Sequence, residues 1–165
     1  MRKNTALRFG EFMTTYEKLR NLSFVVAAIG ALDALYLSWV KIAHTQVFCA
    51  GSGNCETVNS SSYAEISGIP IAWLGFGAYL VILMLLYLER RGGFWSENGT
   101  LLIFGITLAG TLYSAYLTFI ELEVIKAICP YCVLSAIAMV LLLIITIIRL
   151  MQGQTKTKLV QSRGG

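Results

Sequence analysis

The sequence predicts an all-α membrane protein, a four-helix transmembrane bundle with a loop or half-helix cap on its outer side. Two properties of the composition indicate this class: 56% of the 165 residues are hydrophobic and only 13% are charged. Soluble domains carry about a quarter charged residues, and the mean hydropathy here is +0.69. The third observation is a set of apolar stretches, each long enough for the roughly 20 helical residues that cross a hydrocarbon core.

Four spans are predicted in order along the chain. They cover residues 23–43, 69–88, 100–120 and 128–148. We therefore expect one four-span domain over 23–149, preceded by a leader at 1–22 and followed by a basic tail at 150–165. The first span is long, follows a polar leader and has no small-residue cleavage pattern after it, so we expect it to stay in the mature protein rather than be removed as a signal.

Positive charge predicts the orientation, because Lys and Arg beside a span are retained in the cytoplasm. The leader, the connection after span 2 and the region from Arg149 onward hold all but two of the 13 Lys and Arg residues. The other two, Lys41 and Lys126, lie at span ends where long side chains reach the headgroups. We therefore expect cytoplasmic termini, and the net charge of +4 indicates contact with membrane lipid rather than with nucleic acid.

The same topology places all four cysteines on the outer side of the membrane. Cys49 and Cys55 lie in the connection 44–68, which contains no Lys or Arg, and Cys129-Pro130-Tyr131-Cys132 opens span 4. An oxidising outer face allows disulfides to persist. Four cysteines allow three connectivities, and their spacing does not choose among them.

The CxxC pair has the spacing of a reactive dithiol. Pro130 suits the first helical turn, so we expect Cys129 at or next to the N-cap and Cys132 one turn deeper on the same face. Unpaired backbone N–H groups and the helix dipole stabilise a thiolate there and lower the pKa of the cysteine. We expect Cys129 to face water and Cys132 to face the membrane, a geometry suited to passing electrons from protein thiols to a lipid-soluble oxidant.

The connection between spans 1 and 2 is predicted to cover the bundle. The segment 49–55 is rich in Gly, Ser and Asn, so its sulfurs can move at low conformational cost. After it come capping residues, then Tyr63 and Ile66 at helical spacing, and finally Gly68 and Pro70. We expect a half-helix lying on the mouth of the bundle.

Two structural interpretations of the cysteines remain beside the redox one. The pairs could be static disulfides in a non-enzymatic membrane scaffold, or four thiolates could hold a structural zinc ion. The C-x5-C spacing is wider than a usual zinc knuckle, and an oxidising surface works against four reduced thiols. Both points argue against the zinc site, and static disulfides remain the structural alternative to redox chemistry.

Together these features resemble the vitamin K epoxide reductase family, and more closely its bacterial quinone-linked members. The resemblance covers about residues 23–149 and rests on the four spans, the loop cysteine pair and the CxxC that opens span 4. Further matching positions are Asn59-Ser60-Ser61-Ser62 and Ser67-Gly68-Ile69-Pro70, with Gly75 beyond. The resemblance implies a protein of the bacterial inner membrane with its cysteines on the extracytoplasmic face.

The resemblance also implies a role for each cysteine. Cys132 matches the cysteine that delivers electrons to quinone, and Cys129 matches its resolving partner. Cys55 matches the loop cysteine that exchanges with Cys129, which leaves Cys49 to exchange with a thioredoxin-fold protein. Ser61 matches a serine placed near the catalytic pair.

The implied electron acceptor is a quinone, ubiquinone or menaquinone, held near Cys132 with Ile71, Trp73 and Ala136 as candidate neighbours. The animal enzymes use a polar Asn and Tyr to hold the vitamin K carbonyls, whereas Ile71 and Ala136 stand at those positions by approximate alignment. Ordinary quinone reduction is therefore favoured, and reduction of vitamin K epoxide is the alternative.

The implied activity is that of a thiol–quinone oxidoreductase, which reoxidises a thioredoxin-fold partner and supports disulfide-bond formation outside the cytoplasm. Some bacterial relatives continue into a thioredoxin-like domain after span 4. This sequence ends soon after that span, so we expect a separate partner protein.

One acid lies in the middle of span 1. Asp33 has two interpretations there: it takes part in proton movement near the quinone, or its protonated form bonds to an interior hydroxyl such as Tyr113 or Ser114.

Overall fold

The computed structural model describes residues 2–43, 45, 49, 55–66, 68–91 and 94–161, with side chains except at 2–13, 56, 59, 62, 94–97 and 154–161. Ser67 and the side chains of Asn59 and Ser62, which belong to the resemblance, lie outside the described residues. The same holds for most Lys and Arg side chains of the leader and the tail.

The described chain is almost entirely helical. Its helices are α1 (Arg2–Ile42), α2 (Cys55–Asn59), α3 (Ile71–Arg91), α4 (Phe94–Ile120) and α5 (Pro130–Gln161). Between α2 and α3 lie a 3-10 turn (Ser62–Ala64) and the strands β1 (Glu65–Ile66) and β2 (Ile69–Pro70), and a π-helical turn (Glu121–Ile125) continues α4. The stretches Thr14–Ile42, Ile71–Arg91, Asn98–Ile125 and Pro130–Gly153 are long and apolar enough to cross a membrane. The expected fold class, a four-helix membrane bundle, is confirmed.

The first and last long helices, α1 and α5, extend beyond the predicted spans. Helix α1 begins at Arg2, so the leader and span 1 form one helix. Helix α5 likewise continues through the tail to Gln161. The length of an apolar stretch matches the thickness of the membrane, whereas a helix continues as long as its residues favour helix. Proline would end a helix, and both prolines of the chain lie outside these helix interiors, at Pro70 and at the first residue of α5.

Small residues let the helices pack closely around the middle of the bundle. Helix α1 packs against α3 and α5, and α4 packs against the same two helices. A Cβ atom at Gly30 of α1 would lie 2.3 Å from Cζ of Tyr79 in α3, so only glycine admits this ring. The Tyr79 hydroxyl donates a hydrogen bond to the Ser135 carbonyl of α5 at 2.9 Å. One tyrosine thus joins three helices.

The covering element lies where it was expected but has a different form. Helix α2 has five residues, and the helical spacing of Tyr63 and Ile66 does not form a helix. Instead β1 pairs antiparallel with β2, with Ile66 opposite Ile69, because Gly68 at φ 81° closes a tight turn between them. The Lys41 ammonium lies 3.0 Å from the Glu65 carboxylate and ties this hairpin to the end of α1.

A buried ion pair closes the opposite end of the bundle, where α1 begins and α5 ends. The Arg149 guanidinium contacts the Glu89 carboxylate, with side chains 0% and 3% exposed. Thr100 donates to Glu89 at 2.8 Å, and Arg149 also donates to the Tyr16 hydroxyl at 3.0 Å. Arg149 is therefore an interior residue of the bundle, because Glu89 of α3 supplies a carboxylate beside it.

Candidate active site

The loop cysteines form a disulfide, whereas the cysteines of the CxxC are free thiols. The Cα atoms of Cys49 and Cys55 lie 6.2 Å apart across the bond. Cys129 and Cys132 are both reduced. Of the three possible connectivities, pairing within the loop is the one present. A zinc site made of four thiolates is incompatible with this disulfide.

A small apolar cluster brings the two cysteine pairs together at one end of the bundle, which we call the cysteine end. Cys55 and Cys129 are buried members of this cluster, and Cys49 and Cys132 are half-buried beside it. Such proximity is what thiol–disulfide exchange between the pairs requires. The other buried members are Leu37, Val40, Val58 and Ala127.

Cys129 is the N-cap of α5, as Pro130 predicts. The Cys129 carbonyl accepts a hydrogen bond from the Val133 N–H at 3.1 Å, the first turn of the helix. A hydrogen bond from the Cys132 thiol, helped by the backbone N–H groups of Cys132 and Tyr131, holds the pKa of Cys129 below its usual value although burial opposes this. The predicted direction is confirmed, but the partner thiol contributes more than the helix end.

The prediction that Cys129 faces water is wrong. Its side chain is 1% exposed, because Cys55 and Val58 of α2 and Ala127 pack over it. The N-cap residue of an isolated helix is exposed to solvent, whereas the covering element buries Cys129 here. Cys132 is half-buried and faces a cavity inside the bundle.

A buried carboxylate that the sequence did not single out lies beside both cysteines of the CxxC. Glu121 is 5% exposed and begins the π-helical turn. Its Oε2 accepts a hydrogen bond from the Cys129 N–H at 3.4 Å, and the carboxylate lies close enough to the Cys132 thiol to interact with it. The turn ends at Lys126, whose backbone is left-handed at φ 53°, and π-helical turns are frequent at functional sites.

The cavity extends from the two thiols into the bundle and has a volume of about 620 Å³. This lies in the range of about 300–1,000 Å³ that is typical of small-molecule sites. Its lining is mostly apolar, with Cys132, Ser135 and Met139 from α5. Ser61 of the covering element also lines it, while its hydroxyl donates to the Val58 carbonyl at 2.7 Å. The cavity therefore suits a flat apolar molecule with few polar atoms.

Half of the candidate quinone neighbours line this cavity. Cys132 and Ile71 do, whereas Trp73 and Ala136 do not. Trp73 is 41% exposed and contacts Phe76 edge-on, with 6.3 Å between ring centroids. Helical phase explains the difference, because one residue along a helix turns the side chain by about 100°. In α5 the cavity is lined by Ser135, which precedes the expected Ala136.

Asp33 also lines the cavity and keeps its carboxyl group available. It is 7% exposed, and within the described part of the chain neither carboxylate oxygen has a hydrogen-bond partner. The expected bonds to Tyr113 or Ser114 are not formed, although both residues line the same cavity. A buried polar atom without a partner in a cavity indicates a place for a ligand atom.

Fold and site together define a multi-pass membrane protein of the thiol–disulfide redox class, in which a disulfide-bonded loop covers a free dithiol beside an apolar cavity. Residues 21–147 match the vitamin K epoxide reductase family, and since this is most of the chain, the protein belongs to that family. It is similar to the thiol-disulfide oxidoreductase LTO1 of Arabidopsis thaliana, with 35% identity over 111 residues. The match spans 64% of this chain but only 30% of LTO1. The resemblance to the vitamin K epoxide reductase family, inferred from the sequence, is confirmed.

Proposed function

We propose that this protein is a membrane thiol–quinone oxidoreductase. It would oxidise a separate thioredoxin-fold protein, reduce ubiquinone or menaquinone to the quinol, and so support disulfide-bond formation outside the cytoplasm. The observation that carries the proposal is the position of Cys132, whose free thiol lies next to that of Cys129 and faces an apolar cavity within the bundle. The name of LTO1 supports the thiol–disulfide part, and the cavity supports the lipid-soluble acceptor.

The arrangement of the four cysteines supports an inward relay of electrons. The partner's thiolate attacks the Cys49–Cys55 disulfide, and the partner's second thiol completes its own oxidation. The freed Cys55 thiolate then attacks Cys129 in a Cys129–Cys132 disulfide. Cys49 finally recloses with Cys55, which leaves the inner pair as a dithiol. The oxidised loop pair and reduced inner pair correspond to this last stage.

The inner dithiol would then give two electrons and two protons to the quinone and become a disulfide. Closing that bond needs a nucleophilic sulfur, and the lowered pKa of Cys129 supports this role. The apolar lining suits the quinone ring, while Asp33 offers a hydrogen-bonding group for an oxygen atom. The chain itself supplies orientation, exclusion of water and proton transfer.

The proposed location is a bacterial inner membrane, with both termini cytoplasmic and the cysteine end extracytoplasmic. Arg90 and Arg91 remain exposed at the end opposite the cysteines, which supports this orientation. Lys41 and Lys126 lie at the cysteine end, both at helix termini where the headgroups are within reach.

The proposal is tested with purified protein in lipid nanodiscs supplied with a quinone and a reduced thioredoxin-fold protein. We expect one quinol and one oxidised partner per turnover, read from the quinone absorbance and from thiol counts. A parallel incubation with vitamin K epoxide and a dithiol should yield no quinone. The reason is that Ile71 lines the cavity with an apolar side chain where the animal enzymes use a polar one. Failure to oxidise the partner with either quinone would contradict the proposal, and epoxide turnover would establish the alternative activity.

A further inference from the structure

Glu121 is a buried acid whose neighbours are the two cysteines of the CxxC rather than a cation. Its carboxylate accepts a hydrogen bond from the Cys129 N–H at 3.4 Å and lies close enough to the Cys132 thiol to interact with it, and it lines the cavity that both cysteines face. The ion pairs of the described residues use Glu17, Glu65 and Glu89, and none involves Glu121.

Such a position is costly for stability and useful for proton transfer. A carboxylate that loses water without gaining a cation is destabilised, so packing alone gives no reason for an acid here. A carboxyl group within hydrogen-bonding reach of a thiol can take its proton and release it to a neighbouring acceptor. The buried setting favours exchange with groups inside the cavity over exchange with bulk water.

We propose that Glu121 is the acid–base residue of the inner dithiol, taking protons from the thiols and delivering them to the electron acceptor in the cavity. The inference rests on the proposed function. It adds an acid–base residue to the four cysteines, one that lies beside both cysteines of the reacting pair.

The step balances without another reactant. Cys129 and Cys132 lose two electrons and two protons as their S–S bond forms, and the quinone gains both electrons and both protons. The Cys132 proton passes to the Glu121 carboxylate and then to the quinone. The Cys129 proton reaches the same carboxylate through the hydrogen bond between the two thiols. Glu121 ends as the carboxylate it was at the start.

The same turn contains a matched control. Glu123 lies two residues after Glu121 in the π-helical turn and is exposed. Glu121→Gln keeps the size and the acceptor oxygen for the Cys129 N–H but cannot carry a proton. Glu121→Asp keeps the acid on a shorter side chain, and Glu123→Gln removes the same charge from the surface.

The first measurement is quinol formation by pre-reduced protein in a single turnover. Glu121→Gln should slow this step by about 100-fold or more, the usual contribution of a positioned acid–base group, while the KM for quinone changes by less than about twofold. Glu121→Asp should recover at least about tenfold of the loss. Glu123→Gln should match the wild type.

The second measurement uses protein without quinone and follows alkylation of Cys132 by iodoacetamide at neutral pH, read by peptide mass. The carboxylate's charge disfavours a second negative charge on the neighbouring sulfur. Glu121→Gln should therefore speed the alkylation of Cys132, by about threefold to tenfold, although it slows quinol formation. Opposite changes in the two rates are the signature of a proton carrier, since local unfolding would not slow the reaction with quinone selectively and leave its KM unchanged.

Three results would overturn the inference. One is an active wild type in which Glu121→Gln forms quinol within about threefold of the normal rate, which leaves the proposed function standing. Another is loss of the Cys49–Cys55 disulfide in both Glu121→Gln and Glu121→Asp, which would assign Glu121 a structural role. The third is a wild type that reduces no quinone, which removes the proposed function itself.

Discussion

Each end of the bundle buries a glutamate, and the two glutamates have opposite surroundings. Glu89, at the end opposite the cysteines, contacts the Arg149 guanidinium and accepts a hydrogen bond from Thr100. Glu121, at the cysteine end, contacts two thiol-bearing residues and has no ion-pair partner within the described part of the chain. A buried acid beside a cation has its charge balanced by that cation. A buried acid beside thiols can exchange protons with them, so the same residue type serves packing at one end and chemistry at the other.

The comparison also explains why the bundle can be rigid at one end and reactive at the other. The Glu89–Arg149 pair joins α3 to α5, and Tyr16 adds α1 through a hydrogen bond from Arg149. The cysteine end has instead a five-residue helix, a two-residue hairpin turn and a disulfide loop. Helix α2 and the two strands are short, so few contacts have to change for Cys55 to reach Cys129 in thiol exchange.

The largest effect is expected at the cysteine end from Cys49→Ala. Partner-driven turnover should fall by about a thousandfold or more, because the partner's thiolate then has no Cys49–Cys55 disulfide to attack. The partner should stay reduced, which thiol counts would show. Thr57→Ala, on an exposed position of α2, is the control and should turn over normally. Normal turnover by Cys49→Ala would contradict the relay.

At the opposite end, Arg149→Met should destabilise the protein by about 3–5 kcal/mol, since it leaves Glu89 buried without its cation. Adding Glu89→Leu should restore most of that stability, because an apolar pair can replace a buried ion pair. Denaturant unfolding in detergent micelles gives the free energies. Arg91→Met is the surface control, and its effect should be below about 1 kcal/mol. Single-turnover quinol formation by folded Arg149→Met should stay normal.

Asp33 tests whether a lone acid in the cavity serves the ligand or the fold. Asp33→Leu should raise the KM for quinone by about threefold to tenfold, the value of one hydrogen bond, and Asp33→Asn should change it by about twofold or less. The same Leu variant should unfold at higher denaturant concentration, because it removes a buried polar group without a partner. A lower stability together with an unchanged KM would assign Asp33 to the fold instead.

The smallest effect is expected from the half-exposed ion pair between Lys41 and Glu65. Lys41→Met should change the free energy of unfolding by less than about 1 kcal/mol, since water screens such pairs. Quinone turnover should remain within about twofold of the wild type. A loss of turnover comparable to that of Cys49→Ala would mean that the hairpin's attachment to α1 controls the site.

The sequence predicted the helices well because helix existence depends on local and additive properties. Four apolar stretches gave the four spans, and Pro130 correctly predicted where α5 begins and that Cys129 caps it. The family was recognisable from the loop cysteines and the CxxC together. The bounds were less accurate, since polar residues extended both α1 and α5.

What the sequence did not predict depends on helical phase and on contacts distant in the chain. Glu121 and Glu123 look equivalent in the sequence, and only the π-helical turn shows which one is buried. Ser135 rather than Ala136 lines the cavity for the same reason of phase. The burial of Cys129 needs the covering loop, whose hairpin depends on one glycine.

The central claim is that electrons leave the protein through the inner dithiol at the cavity. The most direct test isolates protein with the Cys49–Cys55 disulfide and the Cys129–Cys132 dithiol, adds one equivalent of quinone and maps disulfides by mass spectrometry. The account predicts one new Cys129–Cys132 disulfide for each quinol formed, an unchanged loop disulfide, and no quinol from Cys132→Ser. Quinol formation without the Cys129–Cys132 disulfide, or an inner dithiol that stays reduced in the presence of quinone, would contradict it.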